Sequence, residues 1–284
     1  MVVRATESRE KAPGVSARAL PLRITPQFLL NRHNVRYVLE RNLLVYRHIW
    51  LVIFSGFIET LVYLFAVRIG IGALVGDVQL ASGGSVDYAT FAAPGLLAAA
   101  AMNGAVFEST MNIYFKLKFA KTYDAMLATP LEPFDLAIGE IGWSQIRGSI
   151  YAVGYIIVLL AMGLVESPWS VLALPAAILV GFAFGAVGMA ATTYMRSWQD
   201  FEFVNLVVLV LFLFSATFFP LSVYPDWLQI VAHLSPLYHG VALIRGLMLG
   251  DVGLFMLGHV AFLGAMGAAG LAVVSRRLVT LLTP

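Results

Sequence analysis

The sequence predicts an all-α integral membrane protein, and three observations support this. Sixty per cent of the 284 residues are hydrophobic and only 12% are charged, against roughly a quarter charged in ordinary soluble chains; mean hydropathy is +0.85. Apolar runs of about 17–25 residues, the length that crosses a bilayer as a helix, can be drawn six times, near 49–69, 91–113, 144–165, 170–193, 202–220 and 253–275. The basic residues also divide by side. With both termini in the cytoplasm, sixteen of the eighteen Lys and Arg residues fall inside, leaving Arg68 and Arg245 outside or near the outer face, as the positive-inside rule requires.

The elements follow in chain order. Residues 1–30, with Pro13, Pro21 and Pro26 among scattered charges, read as a flexible cytoplasmic leader. This polar stretch before the first apolar run argues against a cleaved signal peptide. Over 31–48, Val35, Val38, Leu39, Leu43 and Tyr46 form an apolar stripe with Arg32, Arg36, Glu40 and Arg47 mostly opposite, an amphipathic helix lying on the inner leaflet. Residues 49–284 carry the spans. All five tryptophans fall at predicted span ends, with Trp50, Trp143 and Trp198 at the inner interface and Trp169 and Trp227 at the outer, the depth at which an amphipathic ring is most stable.

Between spans two and three the chain becomes polar. Phe119, Tyr123, Met126 and Leu127 recur at helical spacing and line one face, with Lys118, Lys121, Thr122 and Asp124 on the other. Pro130 stops this helix and Pro133 starts the next. A polar element held between two spans is placed to meet a soluble partner. From Phe218 to Gly250 the sequence is apolar but broken by Pro220, Pro225 and Pro236. Its two helical pieces are too short to cross, and one extra crossing would put Arg276 and Arg277 outside, so this stretch reads as a re-entrant or outer-surface hairpin.

Several chemistries are excluded. None of Lys11, Lys116, Lys118 and Lys121 follows a glycine, so a phosphate-cradling Gly-Lys-Ser/Thr loop is absent; if ATP drives this protein, another polypeptide binds it. A net charge of +2 gives no electrostatic support for nucleic-acid binding, and the lack of cysteine excludes disulfides and thiolate metal sites. His33, His48, His233, His239 and His259 show no metal-binding spacing and read as isolated polar residues at span ends. No Gly-x-Ser-x-Gly elbow is present.

Two carboxylates fall within spans. Glu59 should face protein or water, because an ionisable group at the bilayer centre costs at least about 2.5–3.5 kcal/mol. It is read as a substrate-path or packing contact, or as a protonated structural residue. Glu108, beside Ser109, Thr110 and Asn112, reads as a solvated or headgroup-level carboxylate, and with Asn103 it is a candidate for the substrate path. Arg245 is expected to pair with Asp226 or Asp251 or to meet headgroups. Gly95, Gly104, Gly181, Gly185 and Gly188 are read as sites of close helix packing.

Six segments carry a resemblance. They are Phe91-Ala-Ala-Pro-Gly-Leu-Leu97, Phe107-Glu-Ser-Thr110, Lys121-Thr-Tyr-Asp-Ala-Met-Leu-Ala-Thr-Pro130, Gly139-Glu-Ile-Gly-Trp143, Phe218-Phe-Pro-Leu221 and Pro236-Leu-Tyr-His-Gly-Val-Ala-Leu-Ile-Arg245. In order and spacing the chain resembles the permease subunits of type-2 ATP-binding-cassette exporters, nearest to their nodulation-type and drug-exporter branch. It departs from that branch at Glu59-Thr60, where the branch tends to have Glu-Pro.

The resemblance implies a non-enzymatic half-transporter in the cytoplasmic membrane, surrounded by lipid and paired with a second, identical permease. Two separate ATPase subunits would bind ATP and Mg, so this chain needs no cofactor of its own. The segment from about 116 to 132 would be the helix that couples to the ATPase, through Phe119, Lys121, Tyr123, Asp124, Met126, Leu127, Thr129, Pro130 and Glu132. Phe219, Pro220, Pro225, Pro236 and Arg245 would shape the outer hairpin. An amphipathic, lipid-linked or drug-like molecule would move outward by alternating access. Two other classes compete: a membrane-embedded lipid-modifying enzyme using Glu59 and Glu108 as acid and base, and an ATP-independent channel or carrier. Neither accounts for the charged helix between spans two and three.

Overall fold

The computed structural model describes residues 34–46, 58, 60–80 and 83–282. The leader, Trp50, Glu59 and the first half of the predicted first span lie outside the described residues. Helices dominate, as expected for an all-α membrane protein. Four of those described are long and apolar enough to cross a bilayer. They are α3 (Tyr88–Phe119), α5 (Pro133–Ala161), α6 (Pro168–Thr192) and α10 (Phe255–Leu282). The other helices are α1 (Asn34–Tyr46), α2 (Thr60–Val75), α4 (Thr122–Leu127), α7 (Asp200–Phe214), α8 (Asp226–Leu234) and α9 (Pro236–Leu249). A two-stranded antiparallel hairpin, β1 (Asp77–Gln79) and β2 (Ser85–Asp87), joins α2 to α3.

Helix boundaries follow local chemistry. The Asp87 carboxylate accepts from the Ala89 N–H and caps α3. This helix runs six residues beyond the predicted span and is π-wound over Glu108–Asn112 and Phe115–Phe119. It stops where Lys121 adopts a left-handed backbone (φ 44°), a conformation that ends a helix. Helix α5 begins at Pro133, as predicted, behind a capping box between Glu132 and Asp135. That start lies eleven residues before the predicted edge of span three, because the charges at Asp135 and Glu140 are buried rather than left in a loop.

The core is formed by α3, α6, α9 and α10, with α5 along one side. Small residues set the spacing. A Cβ on Gly240 would lie 2.7 Å from the Val180 side chain, and one on Gly270 would lie 2.8 Å from the Ala186 and Val187 backbone. Gly181, Gly185 and Gly188 also face neighbouring helices, as predicted, whereas Gly95 faces the Thr217 backbone and the Arg245 guanidinium and Gly104 faces open space along a cavity. Helix α7 buries only Phe201 and ends at Phe214, short of the predicted 220. At 15 residues it spans about 22 Å, less than the hydrocarbon thickness of about 30 Å.

The proline-broken segment forms the two expected helical pieces. Pro220 precedes a single turn at Leu221–Val223, Pro225 precedes α8, and Pro236 opens α9. Its second piece belongs to the core: Leu237, Val241, Ile244 and Met248 of α9 are fully buried. Phe219 is half exposed.

Candidate functional site

A cavity of about 530 Å³ lies among α2, α3, α5 and α7. Thr60, Asn103 and Asn205 give it amide and hydroxyl groups, Tyr63, Tyr151 and Tyr155 give it aromatic walls, and Glu108 and Arg147 lie at the end nearer α4. The structure thus brings two of the three predicted path residues, Asn103 and Glu108, to one cavity; Glu59 is outside the described residues.

Glu108 is not solvated, as one sequence expectation had it. It is 4% exposed, and its Oε2 accepts from Arg147 Nη1 at 2.6 Å. Its Oε1 accepts from the Tyr46 hydroxyl at 3.0 Å and from Asn112 Nδ2 at 2.5 Å. The Tyr46 oxygen in turn accepts from Arg147 at 2.9 Å and from Asn112 at 3.0 Å, which uses one donor and two acceptors and leaves the hydroxyl saturated. The Arg147 guanidinium carbon also sits 5.0 Å from the Tyr46 ring centroid.

A second rung lies two helical turns nearer α4, about 12 Å along α3. Lys116 Nζ donates to Glu140 Oε2 at 2.7 Å, and Asn42 Nδ2 donates to the same oxygen at 3.1 Å. Each rung therefore joins α1, α3 and α5, through Tyr46, Glu108 with Asn112, and Arg147 in the first and through Asn42, Lys116 and Glu140 in the second. The polarity alternates: α3 supplies the acid in the first rung and the base in the second. From the sequence alone Lys116 and Arg147 count only as inner-side charges, and Glu140 has no role. One signal was available: oppositely charged residues eight apart near the end of span two (Glu108, Lys116) and seven apart near the start of span three (Glu140, Arg147) fit two antiparallel helices.

Helix α1 is amphipathic, but its buried stripe is Val38, Asn42 and Tyr46, while Leu43 is 60% exposed. Of the predicted stripe, Val38 and Tyr46 turn toward the protein, where Asn42 and Tyr46 hydrogen-bond, and Leu43 is left on the outside. Val38 sits on Gly139 of α5, where a Cβ would approach its side chain to 2.6 Å. Trp143 is likewise buried beside Tyr46, ring centroids 5.2 Å apart.

The predicted 116–132 helix is two elements. Phe119 ends α3 and is 62% exposed, while Tyr123 of α4 is fully buried. The expected common face is therefore split by the left-handed turn at Lys121. Tyr123 packs inward with Ile113, Leu136, Met189 and Leu278, and Met126 lies against the same cluster. Burial, and then the charge of Glu140, pushes the Tyr123 phenol pKa well up, so it stays protonated. Leu127 is half-buried, whereas Lys121, Asp124, Ala125, Thr129 and Pro130 are exposed. Glu132 serves as the cap of α5. Asn34 at the start of α1 donates to the Pro130 carbonyl at 3.2 Å, which ties α1 to the turn after α4.

At the far end Arg245 forms no ion pair among the described residues. Its guanidinium donates to the carbonyls of Phe91 (3.0 Å), Ala216 (2.9 Å) and Thr217 (3.0 Å) and lies 3.9 Å from the Phe91 ring centroid. It thereby satisfies the Ala216 and Thr217 carbonyls, freed where the predicted fifth span unwinds after α7, and joins them to α3. His239 and His259, expected to be isolated, meet with their Nδ1 atoms 2.7 Å apart.

The sequence profile of the ABC-2 type transporter family matches residues 33–249, a stretch holding both rungs, the cavity and α4. Among known proteins, Nodulation protein J of Rhizobium leguminosarum bv. trifolii is 35% identical over 193 residues, covering 68% of this chain and 72% of that protein. Nodulation protein J of Rhizobium meliloti (strain 1021) is 31% identical over 216 residues, 75% of this chain and 80% of that one. The inner membrane transport permease YadH of Escherichia coli (strain K12) is 24% identical over 188 residues, 65% and 69% of the two chains. This chain belongs to the ABC-2 type transporter family, as a non-enzymatic, multi-pass membrane permease that associates with an ATP-binding partner.

Proposed function

We propose that the chain is one of two identical permeases of an exporter, and that it moves an amphipathic, lipid-linked or drug-like molecule outward across the cytoplasmic membrane. Six spans with both termini inside, and two separate ATPase subunits holding ATP and Mg, complete this reading. One observation carries it. The exposed rim of α4 and its turn is anchored through Tyr123 and Asn34 to helices whose buried rungs end at the large cavity. A push on that rim is delivered to α1, α3 and α5 together, and so to the cavity wall. Alternating access then follows from tilting of these helices against the small-residue core.

The contact face differs from the one that periodicity alone suggests. Asp124, Ala125, Thr129 and Phe119 face outward, while Tyr123 is structural. Co-purification with a co-expressed ATP-binding subunit tests this. Ala125→Arg and Thr129→Arg should abolish association while the permease still elutes as a folded species in gel filtration. Retained association in both variants would reject α4 as the point of contact. Tyr123→Asp should instead lose the folded permease itself.

A further inference from the structure

The large cavity is not the only chamber on this path. A second cavity of about 260 Å³ lies on the α4 side of the first, walled by Tyr46, Asn112, Phe115 and Trp198. Phe107, Glu108, Met111 and Arg147 belong to the walls of both. The partition between the chambers is therefore made of side chains, and its polar part is the ion pair closed at 2.6 Å. From this geometry we propose that Glu108 and Arg147 form a gate between an inner receiving chamber and the main cavity. We further propose that the inner chamber takes a molecule with an apolar chain and an uncharged, hydrogen-bonding head. This rests on reading the chain as a permease.

Three features support a gate rather than a fixed strut. The backbone carrying Glu108 is π-wound over Glu108–Asn112, a widened turn frequent at functional sites. Tyr46 and Asn112 hold Glu108 by hydrogen bonds of their own, so the carboxylate keeps partners when the guanidinium swings away. The Lys116–Glu140 rung still joins α3 to α5 while the first rung is open.

The chemistry of the walls selects the cargo. Phe107, Phe115 and Trp198 are each more than half exposed, offering aromatic surface to an apolar chain. The gate pair is neutral as a whole. A charged head would bind one member and leave the other buried without its counter-ion, which is unfavourable. A head with hydroxyl or amide groups donates to Glu108 and accepts from Arg147 at once, and leaves neither bare.

The chain has no cysteine, so single reporters are clean. Asn103→Cys reports the main cavity and Phe115→Cys the inner chamber, each treated with a charged, membrane-impermeant maleimide at the cytoplasmic face of vesicles. With the pair intact, Asn103→Cys should label about tenfold more slowly than Phe115→Cys, as for a gate open about a tenth of the time. Adding E108Q or R147Q should remove most of that difference, and the charge-exchanged E108R/R147E should restore it. If either neutral variant fails to elute as a folded species, Tyr46→Phe, which deletes one hydroxyl, should give a smaller acceleration.

Equal labelling of the two reporters with the pair intact, or rates unmoved by every folded variant, overturns the gate. For the head, 1-decanoylglycerol should slow Phe115→Cys labelling, whereas decyltrimethylammonium and decyl phosphate should not. Equal protection by all three overturns the cargo assignment. No ATPase is present in this assay, so its outcome is separate from the association test of α4.

Discussion

On the α4 side, α1, α3 and α5 are joined through two buried ion pairs with amide and phenol partners. Along the opposite flank, α3, α6, α9 and α10 meet through glycine and alanine, with Gly270 against the Ala186–Val187 backbone and Gly240 against Val180. The two regions have different freedom. Backbone-to-backbone packing of small residues has one best spacing and nowhere to move, because interiors are already close-packed. A hydrogen-bonded charge pair has alternatives, since each member can exchange one partner for another. The small-residue core therefore suits a fixed frame, and the ladder suits the part that moves.

The comparison can be broken first at the ladder. Glu108→Leu alone leaves Arg147 buried without its acid and should cost about 3–5 kcal/mol, read as a large drop in thermal unfolding temperature in detergent. The double variant Glu108→Leu/Arg147→Leu should recover most of that loss, because removing both charges of a buried pair is close to neutral. A double variant as unstable as the single one would mean that shape, rather than charge, holds this region.

Arg245→Leu strips three carbonyls of their donor. It should cost about 2–3 kcal/mol by the same assay, and Arg245→Lys should rescue it only partly, because a single ammonium lacks the planar fork. Full rescue by lysine would show that the positive charge alone is needed there. Next in size, Gly270→Ala should cost about 1–3 kcal/mol by overpacking, and no partner change should restore it. An unchanged unfolding temperature would show that α10 and α6 can separate without penalty. Least of all, Arg36→Ala should leave the unfolding temperature where it is, since the Arg36–Glu40 pair is mostly exposed; a measurable drop would extend the ladder to the surface of α1.

Much of this was legible from the chain. Pro130 and Pro133 mark the end of one helix and the start of the next, and Pro225 and Pro236 set the edges of α8 and α9, because a missing N–H and a fixed φ act locally. Tyr123 was read at the right helical spacing but on the wrong side. Periodicity shows that a helix has an apolar face; it does not say whether that face meets its own protein or another. The burial of Asn42 and the exposure of Leu43 have a related reason. A hydrophobicity pattern ranks leucine above asparagine for burial, yet Asn42 has a buried carboxylate to satisfy and Leu43 has none.

The sequence by itself determined the membrane class, the helical content, the proline breaks and the absence of a nucleotide loop, since each depends on composition or on neighbours within one turn. It also carried the family, which relatives at about a third identity share. Only the tertiary structure decided that Lys116, Glu140, Glu108 and Arg147 form two crossed rungs, that Arg245 serves carbonyls rather than acids, and that two chambers share one wall. Those facts depend on how each helix is rotated about its axis against the next. That rotation is set by contacts among residues far apart in the chain, where a glycine such as Gly139 matters for what it allows Val38 to approach.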